Sequence, residues 1–562
     1  MMKILRFSVL LVGLTGLAGA VEARRPAAPE RATTSRATSG ELDAALTYVR
    51  TSWRTLVRSH KDLARAAEDP KFPTASGRWL VYVPASENLP EIRRTVEASM
   101  SPADRARVEL RTLPAGVRSV PEPGLLYVPG PYVVPGGKYN ETYGWDSFFI
   151  LLGLLRDGEV SLAKSMTENQ LYQIRNYGKV LNANRTYYLT RSHPPFIARM
   201  VLRVFERTGD RAWLARAWPD VEAQWAFYNR APHLTPTGLS RYWDDSDQPA
   251  SEVISSEKDA QGRTHYVRVK EYLRTHVIPG FDLARWYDRG RDELTPEFYR
   301  SDRSMRESGF DVSNRFGPFN CETIDILPVC LNALLFQMEE DMSRMAGLLD
   351  RPAEAARWRA RASLRRLRID RYLWDEAAGT YFDYNFRTGK RTRYPFATTF
   401  FPLWVGAASP HQAARVAANL PVLERPGGIV TSARASGMQW DAPFGWAPLQ
   451  HAAVQGLRRY GYAEAADRIT ANWTSLVLKE FRQHGSMFEK YDVEARRSTV
   501  AAGLRFGYSS NEIGFGWTNA AFTDLYAELP DAHKAWVREL GGLPIPGQSG
   551  TPRSGTSRSA AR

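Results

Sequence analysis

A group of carboxylates in this chain sits among aromatic and amide residues, away from the charged faces of helical segments: Asp146, Asp244, Asp245, Glu252, Asp311, Asp441, Glu489 and Glu512. Carboxyl groups on opposite sides of a bond are what hydrolysis of a glycosidic link requires. One protonates the leaving oxygen and the other activates water or attacks directly. Two of these acids, Asp146 and Asp441, fall in two tracts. Residues 135–146 read Pro-Gly-Gly-Lys-Tyr-Asn-Glu-Thr-Tyr-Gly-Trp-Asp, and residues 439–448 read Gln-Trp-Asp-Ala-Pro-Phe-Gly-Trp-Ala-Pro. Indoles stack on the C–H faces of sugar rings, and carboxylates and amides bind hydroxyls. The mixture reads as a carbohydrate pocket. Residue types alone leave open which two carboxyls do the chemistry.

Other chemistries lack their residues. No His-Glu-x-x-His, Cys-x-x-Cys or clustered His pattern supports a metal, and nothing in the sequence calls for a cofactor. A Gly-x-Ser-x-Gly nucleophile elbow is missing as well. Cys321 and Cys330 either pair or lie as two buried thiols. The formal charge of +14 suggests nucleic acid at first sight. Yet residues 1–40 carry six basic and two acidic residues and residues 547–562 three basic and none acidic, so about half the excess lies in the ends. The body has no long Lys/Arg run, and we expect no nucleic-acid partner.

Residues 1–23 have the form of a secretory signal: Lys3 and Arg6, an apolar run from Phe7 to Leu17, and small residues at Ala18-Gly19-Ala20 or Val21-Glu22-Ala23. The run is short of the ~20 residues that span a bilayer, and no later segment is long and apolar enough. The expectation is an exported chain, periplasmic or secreted, not membrane-spanning, and monomeric. Residues 24–40 read as a disordered linker and 544–562 as a disordered basic tail. Between them, strand signals concentrate early, at Trp79 to Val83 and Leu125 to Val128, within an N-terminal extension over 41–130 that covers the catalytic domain, 131–543. From residue 145 onward helix-length segments alternate with Gly/Pro/Asn/Asp-rich loops. Phe148 to Leu155 begins one helix, and Leu331, Leu334, Leu335, Met338, Met342 and Met345 mark another. Ser409-Pro410 caps a third, running to Leu420. Pro352 opens an Arg-rich helix through Arg368, anchored by Trp358 and Leu367 and facing water on its other sides. The alternation predicts a large all-α domain without deciding between a solenoid and a closed ring.

The two tracts resemble the signature motifs of trehalases, glycoside hydrolase family 37: Pro-Gly-Gly-Arg-Phe-x-Glu-x-Tyr-x-Trp-Asp and Gln-Trp-Asp-x-Pro-x-Gly-Trp-x-Pro. The resemblance implies an (α/α)6 barrel whose loops on one face build the pocket, and inverting hydrolysis of α,α-trehalose. Residues 306–315, Arg-Glu-Ser-Gly-Phe-Asp-Val-Ser-Asn-Arg, are similar to the family tract that carries the general acid, which implies that role for Asp311. Residues 488–493, Phe-Glu-Lys-Tyr-Asp-Val, match the tract of the general base and imply Glu489. In an inverting enzyme these carboxyls stand roughly 6.5–9.5 Å apart. The tracts at 181–195 and 241–252 resemble sugar-binding segments and imply Asn182, Arg191 and Glu252 as ligands. Lys138, Tyr139, Trp145, Asp146, Gln439, Trp440, Asp441 and Trp446 complete the implied pocket, and residues 514–519, Gly-Phe-Gly-Trp-Thr-Asn, form a lid or wall. Three positions depart from the family: Lys138 and Ala250 replace arginines, and Tyr508 replaces a glutamate. The departures fall on sugar contacts. They leave room for another small α-linked glucoside as substrate, or for a sugar-binding protein without turnover.

Overall fold

The computed structural model of the chain describes residues 36–74, 76–116, 120, 122–259, 261–278, 281–499, 506–507 and 510–547. The expected signal peptide, most of the linker and tail, and Tyr508 lie outside the described residues. The first helix, α1 (Ser39–Leu56), starts inside the expected linker. Thr38 caps it, its side chain accepting from the Glu41 N–H while Glu41 returns the bond. A three-stranded parallel sheet follows, β1 (Trp79–Val83) between β2 (Val108–Thr112) and β3 (Leu125–Leu126), with Val81 opposite both Leu110 and Leu125. Helix α2 (Leu89–Ser99) makes the crossover between β1 and β2, as parallel strands require.

The body is built from helices that recur as the spacing predicted. They are α3 (Gly144–Arg156), α4 (Val160–Tyr177), α5 (Ile197–Thr208), α6 (Arg211–Tyr228), α7 (His265–Thr275), α8 (Pro296–Glu307), α9 (Val329–Leu348), α10 (Pro352–Tyr372), α11 (Pro410–Ala418), α12 (Ala447–Arg459), α13 (Ala463–His484) and α14 (Gly516–Ala527). Apolar all round, α3 has Phe148, Phe149, Ile150, Leu151 and Leu154 in the core, as a helix enclosed on every side must. It packs on α5, α5 on α9, α9 on the short helix Phe401–Val405, that helix on α12, and α12 on α14; α14 packs back on α3. The partners α4, α6, α10 and α13 lie against these, and α1 lies across α13 and α14.

Three expectations need correction. The cap at Ser409 is present with its reciprocal bond from Gln412, but α11 ends at Ala418 and Leu420–Val422 is a separate turn of 3-10 helix. On α10 the buried seam is Ala355, Trp358, Ala362, Arg365 and Ile369, and Leu367 is 61% exposed. Arg365 rather than Leu367 lies on the buried seam, neutralised there by Glu339 at 2.8 Å. Strands are also not confined to the first part. Two- and three-residue ladders such as β4 (Phe444–Trp446) against β5 (Lys490–Asp492) recur through the body, too short to show a period of two.

Candidate active site

A cavity of about 500 Å3 opens where α3, α12 and α14 begin. Tracts far apart in the chain meet on it. Lys138, Tyr139, Trp145, Asp146, Asn182, Arg191, Glu252, Asp311, Gln439, Trp440, Trp446 and Glu489 all line it. Trp145 and Asp146 reach it from the first turn of α3 rather than from a loop. The left-handed turn at Gly309 (φ +77°) brings the 309–311 strand of the loop onto Trp145, where a Cβ would meet the indole at 2.9 Å.

Asp311 follows α8 and turns its carboxyl to the cavity, with 34% of the side chain open to it. Its pKa is pushed up to about 7, chiefly by desolvation. The Arg306 guanidinium, 3.6 Å away, opposes the rise and the Glu257 charge adds to it. Arg306 is itself locked, donating from Nε to Asp302 at 3.1 Å and from Nη1 to Glu257 at 2.8 Å. The Asp311 carbonyl accepts a bond from the Gln439 amide. Asp311 and the second tract are thereby tied directly.

Glu489 is buried on the segment leading into β5. Its N–H donates to the Glu512 carbonyl at 2.9 Å, and the Trp517 indole donates to its carbonyl at 3.1 Å. Lys490 Nζ stands 3.5 Å from its carboxylate, 3.4 Å from Gln439 Oε1 and over the Trp446 ring. Burial lowers the Lys490 pKa, while the Glu489 charge works against that. Asp146 has a pKa raised well above the usual carboxylate range by burial, with the Glu489 and Asp311 charges adding to it.

Around these acids the indoles form a wall: Trp440 stacks on Trp446 at 3.9 Å, with Trp145 and Trp517 edge-on or tilted beside them. Arg191 donates to Glu252 at 2.6 Å and lies 4.7 Å over the Tyr188 ring. Asn182 donates to the Arg306 carbonyl at 3.1 Å, which fixes its amide at the cavity edge. Asp441 is the exception among the expected residues. It does not line the cavity; its carboxylate accepts bonds from Tyr394, Ser432 and Ser436 side chains and the Asn314 N–H. Its place is behind the wall, joining the Trp440 loop to the Asp311 loop. The cysteines are two buried free thiols.

Residues without a forecast role complete the lining. Glu68, Pro70 and Lys71 come from the N-terminal extension. Arg185 holds that segment by donating to the carbonyls of Ala66, Ala67 and Glu68 and to the Glu141 carboxylate at 2.8 Å. His193 accepts from the Trp145 N–H through Nδ1 at 3.1 Å, and burial drives its pKa well below the usual range, so its ring is neutral. Arg306 and Glu257 also line the cavity; the unpartnered Oε2 atoms of Glu252 and Glu257 are buried acceptors. Arg306 lies near the alanine that replaces a family arginine: the Ala250 N–H donates to Tyr266 Oη at 3.0 Å, and that hydroxyl donates to Asp302, the partner of Arg306. Only its position in the sequence just before Glu-Ser-Gly could have flagged it. Among the described residues no group of three or more His, Cys, Asp or Glu is arranged to hold a metal ion.

The trehalase family profile matches residues 22–529. A cytosolic neutral trehalase from Neurospora crassa is 34% identical over 541 residues, covering 84% of this chain and 71% of that protein. A periplasmic trehalase from Escherichia coli O1:K1 is 35% identical over 415 residues, covering 70% of this chain and 68% of that protein. The solved structure of neutral trehalase Nth1 from Saccharomyces cerevisiae is similar at a TM-score of 0.73 and 31% identity, over 89% of this chain and 96% of that one.

Proposed function

This chain belongs to the trehalase family and is a glycoside hydrolase, and from that premise we propose that it hydrolyses α,α-trehalose with inversion, Asp311 being the general acid and Glu489 the general base. The observation that carries the reading is the meeting of these two carboxyls in one cavity, with Asp311 holding its proton up to about pH 7. Asp311 protonates the bridging oxygen as the bond to one glucose breaks. Glu489 takes a proton from a water that attacks the same anomeric carbon from the opposite face. The attacked glucose leaves as the β anomer and the other keeps its α configuration.

Other residues serve this step by holding charge and shape. Lys490 sets its Nζ 3.5 Å from the Glu489 carboxylate, and Gln439 fixes the Asp311 loop. Trp145, Trp440, Trp446 and Trp517 exclude water and offer faces to sugar rings. Arg191, Asn182, Glu252 and Asp146 bind hydroxyls, and Arg306 supplies the guanidinium that Ala250 lacks. A second reading, a different small α-linked glucoside, is favoured by Lys138 alone. Its side chain is 41% exposed, its ammonium is held at the rim by Glu512 at 2.6 Å, and it lacks the fork of an arginine. Glucose release by the purified protein across trehalose, kojibiose, nigerose, maltose and isomaltose separates the two. Trehalose is expected to be cleaved best; cleavage of another member and none of trehalose contradicts the proposal.

The packing of α14 against α3 supports a closed (α/α)6 barrel. The form of residues 1–23 supports export to the periplasm or beyond. N-terminal sequencing of the exported fraction should then find a chain starting after Ala20 or Ala23; full-length chain confined to the cytosol would contradict this.

A further inference from the structure

The helices that start at the catalytic cavity end on a second one. Trp145, Trp446 and Trp517, at or beside the first turns of α3, α12 and α14, line the first cavity. Leu155, Arg459 and Glu528, at or beyond their last turns, line a cavity of about 690 Å3. An aromatic layer separates the two: Phe149 packs edge-on against Trp145 on one side and lies 6.3 Å from Trp404 on the other, and Phe148 stacks on Phe196 at 4.3 Å. Phe148, Trp404 and His451 are thus the floor of the second cavity.

Its walls carry six arginines and three carboxylates. Arg156 pairs with Asp524 at 2.7 Å and Arg458 with Glu528 at 2.6 Å, while Arg203 makes a half-exposed pair with Glu206. Neither Arg207 nor Arg459 forms an ion pair with a described carboxylate. Cations in the last turns of α3, α5 and α12 also answer the negative ends of those helices. That reading leaves out Arg199 and Arg203, which lie in the first two turns of α5. It also leaves two buried polar atoms without a hydrogen-bond partner among the described residues, Nε of Arg199 and Nδ1 of His451, a residue only 6% exposed. Arg199 pairs through Nη2 with Asp341 at 2.8 Å, and His451 Nε2 stands 3.5 Å from Asp524.

We propose that this second cavity binds a phosphoryl group, free or carried on a hexose-sized ring. Guanidinium forks match phosphate oxygens, and a phosphate monoester brings a charge of about −1.5 to −2 near pH 7. That charge answers the arginine excess. Phe148, Leu152 and Trp404 offer an apolar surface for the face of a ring. The volume lies within the ~300–1,000 Å3 of small-molecule sites. The inference stands apart from the catalytic reading, since no residue of the first cavity takes part.

Calorimetric titration of the full chain with glucose 6-phosphate, inorganic phosphate and glucose tests it, on wild type, on Arg203→Gln/Arg207→Gln and on Trp145→Ala. Glucose 6-phosphate should bind wild type and Trp145→Ala alike, and the double variant about 10-fold or more weaker; both arginines are exposed, so the fold should persist. Arg199→Gln, read together with Asp341→Asn because the two side chains pair at 2.8 Å, provides a second loss. Inorganic phosphate binding as tightly as the ester, and weakened by the same variants, assigns the site to the free anion; tighter ester binding assigns it to the sugar phosphate. Failure of both ligands to bind at ~10 mM, weaker than almost any specific site, overturns the proposal. So does affinity untouched by the arginine variants, or lost in Trp145→Ala.

Discussion

As the proposed general acid, Asp311 must keep a proton near neutral pH while standing 3.6 Å from a guanidinium that favours its ionised form. Desolvation outweighs that guanidinium and the Glu257 charge assists, so the group titrates at about 7. In the proposed mechanism Asp311 works protonated, so kcat/KM should fall as pH rises through about 7; a pH–rate profile flat to pH 9 would remove Asp311 from the role. Asp311→Asn and Glu489→Gln should each lower kcat by at least ~10²–10⁴-fold, the usual worth of a positioned acid or base, with circular dichroism unchanged. The proposed base, Glu489, has the opposite requirement, and Lys490 Nζ stands 3.5 Å from its carboxylate. Lys490→Met should raise the base's pKa and move the acidic limb of the profile up by about 1 unit or more. Lys490→Arg should leave the limb near its wild-type position. A limb that stays put in the methionine variant would make Lys490 a packing residue.

Elements show where sequence reading succeeds and where it stops. Helices α3 and α9 were legible because their apolar residues recur at helical spacing, and β1 because five β-prone residues run together. The ladder of β4 and β5 was not, although it sets the Gln439 tract beside Glu489: three residues carry no period. In the site, the motif residues meet on one cavity, with Asp441 set behind its wall. Nothing in its neighbourhood in sequence tells a carboxylate facing the cavity from one facing three hydroxyls behind the wall. Segment 66–71 was invisible as a wall because its contacts come from Arg185, more than a hundred residues on. Removing one member of a buried ion pair costs about 3–5 kcal/mol, so Arg185→Ala should show a loss of that order in denaturant unfolding. By freeing the wall it should also raise KM more than it lowers kcat. An unchanged KM would mean that the extension only covers the site.

On the scale of the whole molecule, the site is held in place at the expense of stability. A carboxyl that titrates near 3.9 in the unfolded chain and at about 7 in the folded one binds its proton more tightly when folded. Stability therefore declines as pH rises between those values. The wild-type protein should melt progressively below Asp311→Asn from about pH 4 to pH 7, the gap then staying constant; with a third of the side chain open to solvent, the gap is reduced by screening. A gap independent of pH would place the proton elsewhere. The opposed ends of the helices give the molecule two chambers, acidic and aromatic at one end and arginine-rich at the other, and the proposed chemistry uses the first. Proton NMR of the anomeric protons during the first turnovers on trehalose tests that chemistry most directly. Inversion by Asp311 and Glu489 yields α- and β-glucose in equal amounts before mutarotation. Release of α-glucose alone, or of no glucose, would contradict it.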